Sequence, residues 1–114
     1  MSTIFSKIVN KEIKADIVYE TETVLAFNDI NPQAPVHVLI IPKIEIPKVT
    51  DLKGSEHAAL LGDMIDAANK IAKDLGIDKD GFRLVMNCGD NGGQDVYHLH
   101  MHLLGGRKMN WPPG

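Results

Sequence analysis

Three of the five histidines in this chain, His98, His100 and His102, occupy alternate positions of one apolar segment. Alternation at period two is typical of a β-strand, because successive side chains of a strand point to opposite faces of the sheet. A strand over residues 98–104 would therefore place all three imidazoles on one face. The other face, which we expect to pack into the core, would carry Tyr97, Leu99, Met101 and Leu103. Three interpretations of the aligned imidazoles stay open.

The first two interpretations are a structural role and a metal site. A single strand histidine is commonly a hydrogen-bonded structural residue, but three on one face would repel one another once protonated. Imidazoles two residues apart lie about 6.6–6.8 Å apart along a strand and can converge on zinc. Three consecutive same-face residues span too far to reach one ion comfortably, and the only carboxylate near ligand spacing is Asp95. We therefore expect no metal and no other cofactor.

The third interpretation is an imidazole nucleophile with two helpers. Histidine has an unperturbed pKa of roughly 6.5, so much of it is neutral at physiological pH. A neutral imidazole can attack phosphorus through one nitrogen when an acceptor holds the N–H of the other. The upstream loop adds Gly89, Gly92 and Gly93, whose backbone N–H groups are candidates for an anion-binding nest. This combination favours phosphate chemistry, with the flanking histidines orienting the nucleophile and moving protons.

Size and composition narrow the class of protein. The 114 residues fit a single domain, 1–114, and the net charge is −3 with scattered Lys and Arg. This charge pattern argues against nucleic acid as a partner, because neutralising many phosphates needs a clustered basic face. Cys88 is the only cysteine, and no stretch approaches 18 consecutive apolar residues. We therefore expect a soluble cytoplasmic protein with no membrane anchor.

The strands that must position the histidines are predicted from local patterns. A hairpin is expected from apolar segments on both sides of a short polar turn, and a β-branched run that stops at Pro42 predicts a buried strand. One further strand precedes the glycine-rich loop. The predicted strands cover residues 17–20, 24–27, 36–41, 82–86 and 98–104. Short connections favour antiparallel pairing, so we predict an α+β fold.

Two helices are also predicted. The first covers residues 4–9 behind a possible Thr3 cap. The second covers residues 55–75, with Ser55 as its cap and Gly76 in the left-handed position after its end. Its buried stripe is expected to consist of Leu61, Met64, Ile65, Ala68, Ile71, Ala72 and Leu75.

The histidine segment resembles a known family. The sequence His98-Leu99-His100-Met101-His102-Leu103-Leu104 satisfies the histidine triad (HIT) motif His-φ-His-φ-His-φ-φ, in which φ is apolar. Other segments are similar to the Hint branch of that superfamily: 29–37, 41–43, 92–94, 96–97, 104–107 and 111–114. The resemblance runs from about Thr3 to the C-terminus and so covers essentially the whole chain.

The resemblance implies a fold and an activity. The expected fold is a five-stranded antiparallel sheet with one long and one short helix, and two subunits join into a continuous ten-stranded sheet. The expected activity is hydrolysis of adenosine or guanosine 5′-phosphoramidates to AMP or GMP and an amine, through a covalent nucleotidyl-histidine. In the homodimer, Trp111 and the C-terminal tail would lie near the partner's site. The alternative is a purine-nucleotide-binding interaction or regulatory protein with little turnover.

The resemblance also implies residue roles. His100 would be the nucleophile, His98 and His37 would support proton transfer, and His102 would bind phosphate and leaving-group atoms. Asp29 would grip the ribose hydroxyls, although from the residues alone it is equally a turn cap before Asn31-Pro32. The expected nucleotide-binding residues are Ile4, Phe5, Ile8, Ile13, Phe27, Asp29, Ile30, Asn87, Gly93, Asp95 and Val96.

Asp95 departs from the pattern of the family, because many Hint members carry a serine there. An ionised carboxylate can only accept hydrogen bonds, and it would repel a phosphate placed against it. Two outcomes stay open. Either the side chain turns outward and leaves the backbone N–H to serve the site, or it favours substrates with a cationic leaving amine.

Overall fold

The computed structural model of the protein describes residues 3–114, so expectations that concern Met1 and Ser2 lie outside the described residues. Five antiparallel strands form one sheet in the order β1-β2-β3-β5-β4. The strands are β1 (Ile17–Glu20), β2 (Val24–Asn28), β3 (Val36–Pro42), β4 (Phe82–Val85) and β5 (Met101–Gly105). The helices are α1 (Ile4–Val9) and α2 (Gly54–Asp74), with a 3₁₀ turn at Val49–Asp51. The predicted α+β class and the five-stranded antiparallel sheet are confirmed.

The short helix α1 begins as its sequence predicts. The hydroxyl of Thr3 accepts a hydrogen bond from the Ser6 backbone N–H, and the Ser6 hydroxyl accepts one from the Thr3 N–H. This reciprocal capping box satisfies two N–H groups that have no partner inside the helix. It allows a helix of only six residues to hold Phe5 and Ile8 against the sheet.

The long helix α2 begins differently from its prediction. Ser55 is not the cap, because the helix starts at Gly54 and Lys53 occupies the N-cap position without a side-chain cap. The backbone N–H of Lys53 instead donates to Nδ1 of His57, 2.9 Å away, one turn into the helix. At the other end Gly76 adopts the predicted left-handed conformation, with φ of 72°. None of the helices described in residues 3–114 combines the length and apolar character that a bilayer crossing requires.

One face of the sheet packs against α2. Its buried side chains come from alternate positions of the strands, namely Val24, Ala26, Val38, Ile40, Met101 and Leu103. From α2 the buried stripe includes Met64, Ala67, Ala68, Ile71 and Ala72. Two predicted members of that stripe, Ile65 and Leu75, are exposed because the stripe is narrower than the apolar pattern of the helix. This face is an apolar core.

The opposite face of the sheet packs against α1. Leu25, Phe27, Leu39 and Ile41 form a second, smaller apolar cluster with Phe5 and Ile8 of the helix. His37 and His102 lie on this same face, on the neighbouring strands β3 and β5. Leu39 is the partner of His102 in the ladder, so His37 and His102 are diagonal neighbours, close enough for side-chain contact.

The histidine strand is shorter than predicted. β5 begins at Met101, so His98 and His100 precede it, and Tyr97, expected in the core, is exposed at a bend. The ladder with β3 ends at the pair Ile40–Met101. Two residues further along β3, Pro42 has no N–H, and its carbonyl instead accepts a hydrogen bond from the side chain of His98. A proline therefore marks where regular pairing gives way to a side-chain contact.

Candidate active site

The three histidines of the motif lie together although only His102 belongs to a regular strand. The alternation that predicts opposite faces is confirmed, since Leu99 is buried in the core under α2 while His98 and His100 approach Phe5 on the other side. The ring centroid of Phe5 lies 5.1 Å from that of His100 and 6.2 Å from that of His98, and both contacts are edge-on. The centroids of His100 and His102 are 5.1 Å apart. The apolar wall of α1 thus excludes water from one side of the imidazoles.

His98 is the most deeply buried histidine. Its Nε2–H donates to the carbonyl oxygen of Pro42 at 2.8 Å, so Nδ1 carries the lone pair of the neutral ring. Among residues 3–114, Nδ1 finds no hydrogen-bond partner. Burial lowers the pKa of His98 against the opposing effects of the Pro42 carbonyl and the charge of Glu45, and nearby His100 lowers it further. The ring is therefore held neutral, with its position fixed by one strong contact.

The ring of His100 has one nitrogen with a free lone pair. Its Nδ1–H donates to the carbonyl oxygen of His98 at 2.8 Å, which places the lone pair of the neutral ring on Nε2. Nε2 lies 3.7 Å from a carboxylate oxygen of Asp95, a side chain that is 82% exposed. His100 itself is buried, with 3% of the residue exposed, and its Nε2 faces the exposed carboxylate of Asp95. A main-chain carbonyl thus selects the tautomer that nucleophilic attack requires.

His37 and His102 form a chain of donors and acceptors that starts at a backbone amide. The N–H of Gln33 donates to Nδ1 of His37 at 3.1 Å, which leaves the ring proton on Nε2. That Nε2 lies 2.9 Å from Nδ1 of His102 and donates to it. His102 therefore carries its own proton on Nε2, as a donor available to a ligand. The backbone amide of Gln33 therefore fixes which atom donates and which accepts in each hydrogen bond of this series.

Both rings of this pair resist protonation. Burial lowers the pKa of His37, opposed by the negative charge of Asp29, whose carboxylate oxygen lies 3.5 Å from Nε2. Burial also lowers the pKa of His102, and the proximity of His100 and His37 lowers it further. His37 and His102 therefore stay neutral to a lower pH than a free histidine does, because their pKa is lowered.

Asp29 forms the turn cap that the sequence also allowed. One carboxylate oxygen accepts a hydrogen bond from the backbone N–H of Asn31 at 2.8 Å, and the other faces His37. The N–H of Asp29 donates to the carbonyl of His37, which ties the turn to β3. The carboxylate is thus held at the edge of the histidine cluster. Its predicted contact with ribose hydroxyls stays a prediction.

A metal is the one other ligand that this geometry suggests. Donor atoms of Asp29, His37 and His102 all lie within 4.8 Å of one another. To bind an ion, however, His37 would need a lone pair on Nε2, where the amide of Gln33 places a proton. If Nε2 of His37 bound a metal, the ring proton would move to Nδ1. The Nδ1–H would then face the N–H of Gln33, and two hydrogen-bond donors would repel each other. The donor set therefore fits a proton path better than a metal.

The glycine-rich loop has a different role from the one predicted. The N–H of Gly89 donates to the side-chain oxygen of Gln94, and the N–H of Gly93 donates to the carbonyl of Asp90. These two amides are bonded within the loop, so they are not free for the expected nest. A methyl group on Gly92 would clash with the carbonyl oxygen of Cys88, so glycine is required there for close packing. Gly93 as a nucleotide contact stays a prediction that no longer rests on its amide.

The expected nucleobase residues divide by exposure. Phe5, Ile8 and Phe27 are buried in the small core under α1, and Val96 packs against it. Ile4, Ile13 and Ile30 are exposed, and Ile30 has no cover at all. Exposed isoleucines are costly to hydrate and are available to a flat aromatic ligand. Their contact with a base stays a prediction.

A cleft of about 600 Å³ adjoins the histidines on the β4 side. His37, His102 and Asn87 line one part of it, so the structure brings the predicted phosphate residue Asn87 to the histidine cluster. Residues 109–110 and 112–114 of the C-terminal tail line another part. Trp111 is 81% exposed, with its ring centroid 6.0 Å from the guanidinium carbon of Arg83.

Sequence reasoning did not identify the groups that orient the histidines. These groups are the carbonyls of Pro42 and His98 and the amide of Gln33. All three are main-chain atoms, which every residue has and which no residue type marks.

Comparisons with known proteins agree with this geometry. The model of the HIT domain matches residues 10–109. A purine nucleoside phosphoramidase of Escherichia coli K12 is 59% identical over 107 residues, which cover 94% of this chain and 89% of that protein. A Zea mays protein named as a 14 kDa zinc-binding protein is 55% identical over 113 residues, which cover 98% of this chain and 88% of that one.

Solved structures show the same likeness. The crystal structure of a HIT family hydrolase from Legionella pneumophila has a TM-score of 0.96 and 48% identity, with 99% of this chain and 100% of that chain covered. A HIT family hydrolase from Clostridium thermocellum has a TM-score of 0.90 and 53% identity, with 94% and 92% covered. Family model, sequence and fold agree over nearly the full length. The chain belongs to the HIT domain family.

Proposed function

We propose that this protein is a purine nucleoside 5′-phosphoramidase, which hydrolyses adenosine and guanosine phosphoramidates to AMP or GMP and an amine. The observation that carries the proposal is the 2.8 Å hydrogen bond from Nδ1 of His100 to the carbonyl of His98, because it leaves a lone pair on Nε2. The relative named as a purine nucleoside phosphoramidase supports the substrate class. The proposed catalytic residues are His100, His98, His102 and His37.

In the first step, Nε2 of His100 forms a bond to phosphorus, and the phosphorus–nitrogen bond of the substrate breaks. The bonding electrons leave with the amine, which takes up a proton from the surrounding water as it departs. The phosphorylated imidazole is then cationic and keeps its proton on Nδ1. The carbonyl of His98 stabilises that charge through a hydrogen bond that already exists before attack.

In the second step, water attacks the same phosphorus and displaces Nε2, which regains its lone pair. The attacking water loses a proton to the solvent, which replaces the proton taken up by the amine, and the nucleoside monophosphate leaves. The Nε2–H of His102 donates to a phosphate oxygen in both steps, because Gln33 and His37 hold that proton on Nε2. Neutral His102 can act in this way, so the lowered pKa of the ring does not oppose its role.

Nucleoside binding is proposed at the α1 end of the site. The exposed isoleucines Ile4, Ile13 and Ile30 would contact the base, together with Phe5, Ile8 and Phe27 of the small core under α1. The second oxygen of Asp29 would accept from ribose hydroxyls. Phosphate contacts are proposed for Asn87 and for the backbone around Gly93, Asp95 and Val96, and not for the Asp95 carboxylate, which would repel a phosphate.

We also propose that two copies of the chain join through their sheets, as the resemblance implies. β4 is an edge of the sheet and has hydrogen-bonding groups free on one side. A second copy paired there would extend the five strands to ten and bring Trp111 toward the partner's site. Sedimentation equilibrium tests this proposal, since a mass of one chain at micromolar concentration would contradict it.

The test of function compares the parent with His100→Ala on adenosine 5′-phosphoramidate and guanosine 5′-phosphoramidate. Loss of the nucleophile should lower kcat at least about 10³-fold, while the affinity for AMP changes little. Rapid quenching followed by mass spectrometry should detect a nucleotidyl adduct on the parent at His100. The matched control is His57→Ala, which removes the one histidine outside the cluster and should keep kcat within about threefold of the parent.

Three results would contradict the proposal. Turnover of His100→Ala at the parent rate excludes His100 as the nucleophile. Tight AMP binding by a parent that hydrolyses neither phosphoramidate supports the alternative, a nucleotide-binding interaction protein. Stoichiometric zinc in the purified protein, together with loss of activity on chelation, would contradict a reaction without metal in which the Gln33 amide keeps the proton of His37 on Nε2.

Asp95 is proposed to favour cationic leaving amines, since its carboxylate lies 3.7 Å from the nucleophilic nitrogen. Asp95→Ser should lower kcat/KM for an adenosine phosphoramidate with a cationic amine relative to one with a neutral amine of similar size. One exposed charge is worth little, so we expect a change of about threefold to tenfold in the ratio. An unchanged ratio would show that the side chain points away from the leaving group.

A further inference from the structure

Residues 94–100 carry two of the motif histidines but lie outside the sheet. They are held to the segment 42–47, which begins at the last residue of β3. Three hydrogen bonds make this connection: His98 Nε2 to the Pro42 carbonyl at 2.8 Å, Leu99 N–H to the Ile46 carbonyl at 2.6 Å, and Gln94 Nε2 to the Pro47 carbonyl at 2.8 Å. The last of these comes from a side chain that the proposed reaction does not use.

The side-chain amide of Gln94 is bonded at each of its polar atoms. It is buried, with 7% of the residue exposed. Oε1 accepts from the N–H of Gly89 at 3.0 Å, and Nε2 donates to the carbonyls of Pro47 and Val96 at 2.8 and 3.0 Å. An amide nitrogen has two hydrogens, so both are in use. Gln94 can donate to a substrate phosphate only by breaking a buried bond.

We propose that Gln94 is a positioning residue that holds the His98 carbonyl where it selects the tautomer of His100. Its bonds fix Gly89, Pro47 and Val96 relative to one another, and Val96 lies two residues before His98. The His98 carbonyl in turn accepts the Nδ1–H of His100. A shift of that carbonyl weakens the bond and lets the proton move to Nε2, where it blocks attack. The inference deepens the proposed function and rests on it for its kinetic test.

The substitution Gln94→Glu tests the donor atoms selectively. Glutamate keeps an oxygen that can accept from Gly89, but it presents a second oxygen, and no hydrogen, to the carbonyls of Pro47 and Val96. Gln94→Met keeps the length of the side chain and removes its hydrogen bonds without adding charge. Asn91→Asp is the matched control, because it adds the same charge to an exposed position of the same loop.

Two measurements are made on the full-length protein. Two-dimensional NMR of ¹⁵N-labelled histidine reports which ring nitrogen of His100 is protonated, without any substrate. We expect the Nδ1–H tautomer in the parent and in Asn91→Asp, and a mixture with Nε2–H in Gln94→Glu and Gln94→Met. Hydrolysis of adenosine 5′-phosphoramidate should show kcat lower by about tenfold to hundredfold in both Gln94 variants, as misplacement of a reacting group predicts. KM and the affinity for AMP should change less than threefold.

Other results overturn the inference. If both Gln94 variants melt at lower temperature but keep the His100 tautomer and kcat, Gln94 has a structural role alone. If KM and AMP affinity change tenfold while kcat is constant, Gln94 contacts the nucleotide. If one variant does not fold, the other decides between these results. If the parent does not hydrolyse the phosphoramidate, the proposed function fails, whereas the tautomer measurement still tests the position of the His98 carbonyl.

Discussion

The two faces of the sheet are buried in chemically different ways. Under α2, strand residues such as Val38 and Leu103 pack against apolar side chains of the helix. Under α1 and beside it, the same strands present His37 and His102, which bond to each other and to the main chain. Neighbouring residues of β5, His102 and Leu103, therefore serve different purposes because they point to opposite sides.

The difference between the faces has an energetic origin. Apolar burial is non-directional and roughly proportional to area, so the α2 face tolerates small shifts of its side chains. A buried imidazole must match each N–H and each lone pair to a partner, because an unmatched polar group is costly away from water. The arrangement of the histidine face therefore depends on the match of individual donor and acceptor atoms, whereas the stability of the α2 face depends on how well apolar side chains fill its volume. Substitutions on the two faces should separate activity from stability.

The largest expected effect is on catalysis by the histidine face. His102→Phe keeps a ring but removes the Nε2–H donor, and loss of such a helper is worth about 10²–10⁴-fold in kcat. The free energy of unfolding should change by much less than the activation free energy that corresponds to this loss of kcat. Steady-state hydrolysis of adenosine 5′-phosphoramidate and urea unfolding measure the two quantities.

The matched control for this substitution is the next residue along β5. Leu103→Val should lower the unfolding free energy by about 1 kcal/mol and leave kcat within about twofold. Equal losses of kcat in the two variants would show that the faces are not functionally separate.

The second effect is on stability from the α2 face. Met64 is fully buried in the core under the sheet, and Met64→Ala should lower the unfolding free energy by about 2–5 kcal/mol. At a temperature where the variant stays folded, kcat should equal that of the parent. Urea unfolding and the phosphoramidate assay test this expectation. Ile65→Ala, one residue along and partly exposed, is the control and should cost less.

Local patterns predicted which residues occupy which face. The alternation around His100 identifies the core side through Leu99 and Met101, and this holds even where the backbone is not a strand. Such prediction succeeds because burial depends on side-chain type and direction, both of which are readable from sequence. The strand bounds of 17–20 were also predicted correctly.

The orienting contacts were not predictable, because they depend on competition between groups distant in sequence. His98 pairs with a carbonyl 56 residues away, and only the folded chain shows that the ladder of β5 ends before it. At the start of α2, Ser55 is a better cap by type, but the ring of His57 reaches the Lys53 amide instead. Sequence therefore predicts which histidines lie together, and it does not identify the main-chain atoms that orient them.

The third prediction concerns pH. Unfolded histidines titrate near pH 6.5, and burial lowers the pKa of His37, His98 and His102 in the folded protein. Between those lowered values and about 6.5 the unfolded chain binds more protons, so the free energy of unfolding falls as the pH decreases below about 6.5. Urea unfolding at pH 7.5 and 5.5 should show this fall in the parent.

Two variants assign the pH dependence to a face. His37→Gln removes one of the three rings whose pKa is lowered, so the difference in the free energy of unfolding between the two pH values should become smaller. Met64→Ala should lower stability by the same amount at both pH values and leave the difference unchanged. A reduced difference in Met64→Ala, or an unchanged one in His37→Gln, would show that the buried histidines are not its source.

The smallest expected effect joins the histidine face to α1. Thr3→Ala removes a side-chain cap and should lower the unfolding free energy by about 1 kcal/mol, measured by urea unfolding. α1 holds Phe5, whose ring lies edge-on to His100, so fraying of the helix should also lower kcat, by less than about threefold. Thr3→Ser keeps the hydroxyl and should restore both quantities. If Thr3→Ser loses as much as Thr3→Ala, the capping bond is not the cause, and the methyl group of Thr3 must contribute by packing. If stability falls while kcat is unchanged, α1 acts as a passive cover, and the contacts that orient His100 come from the main chain alone.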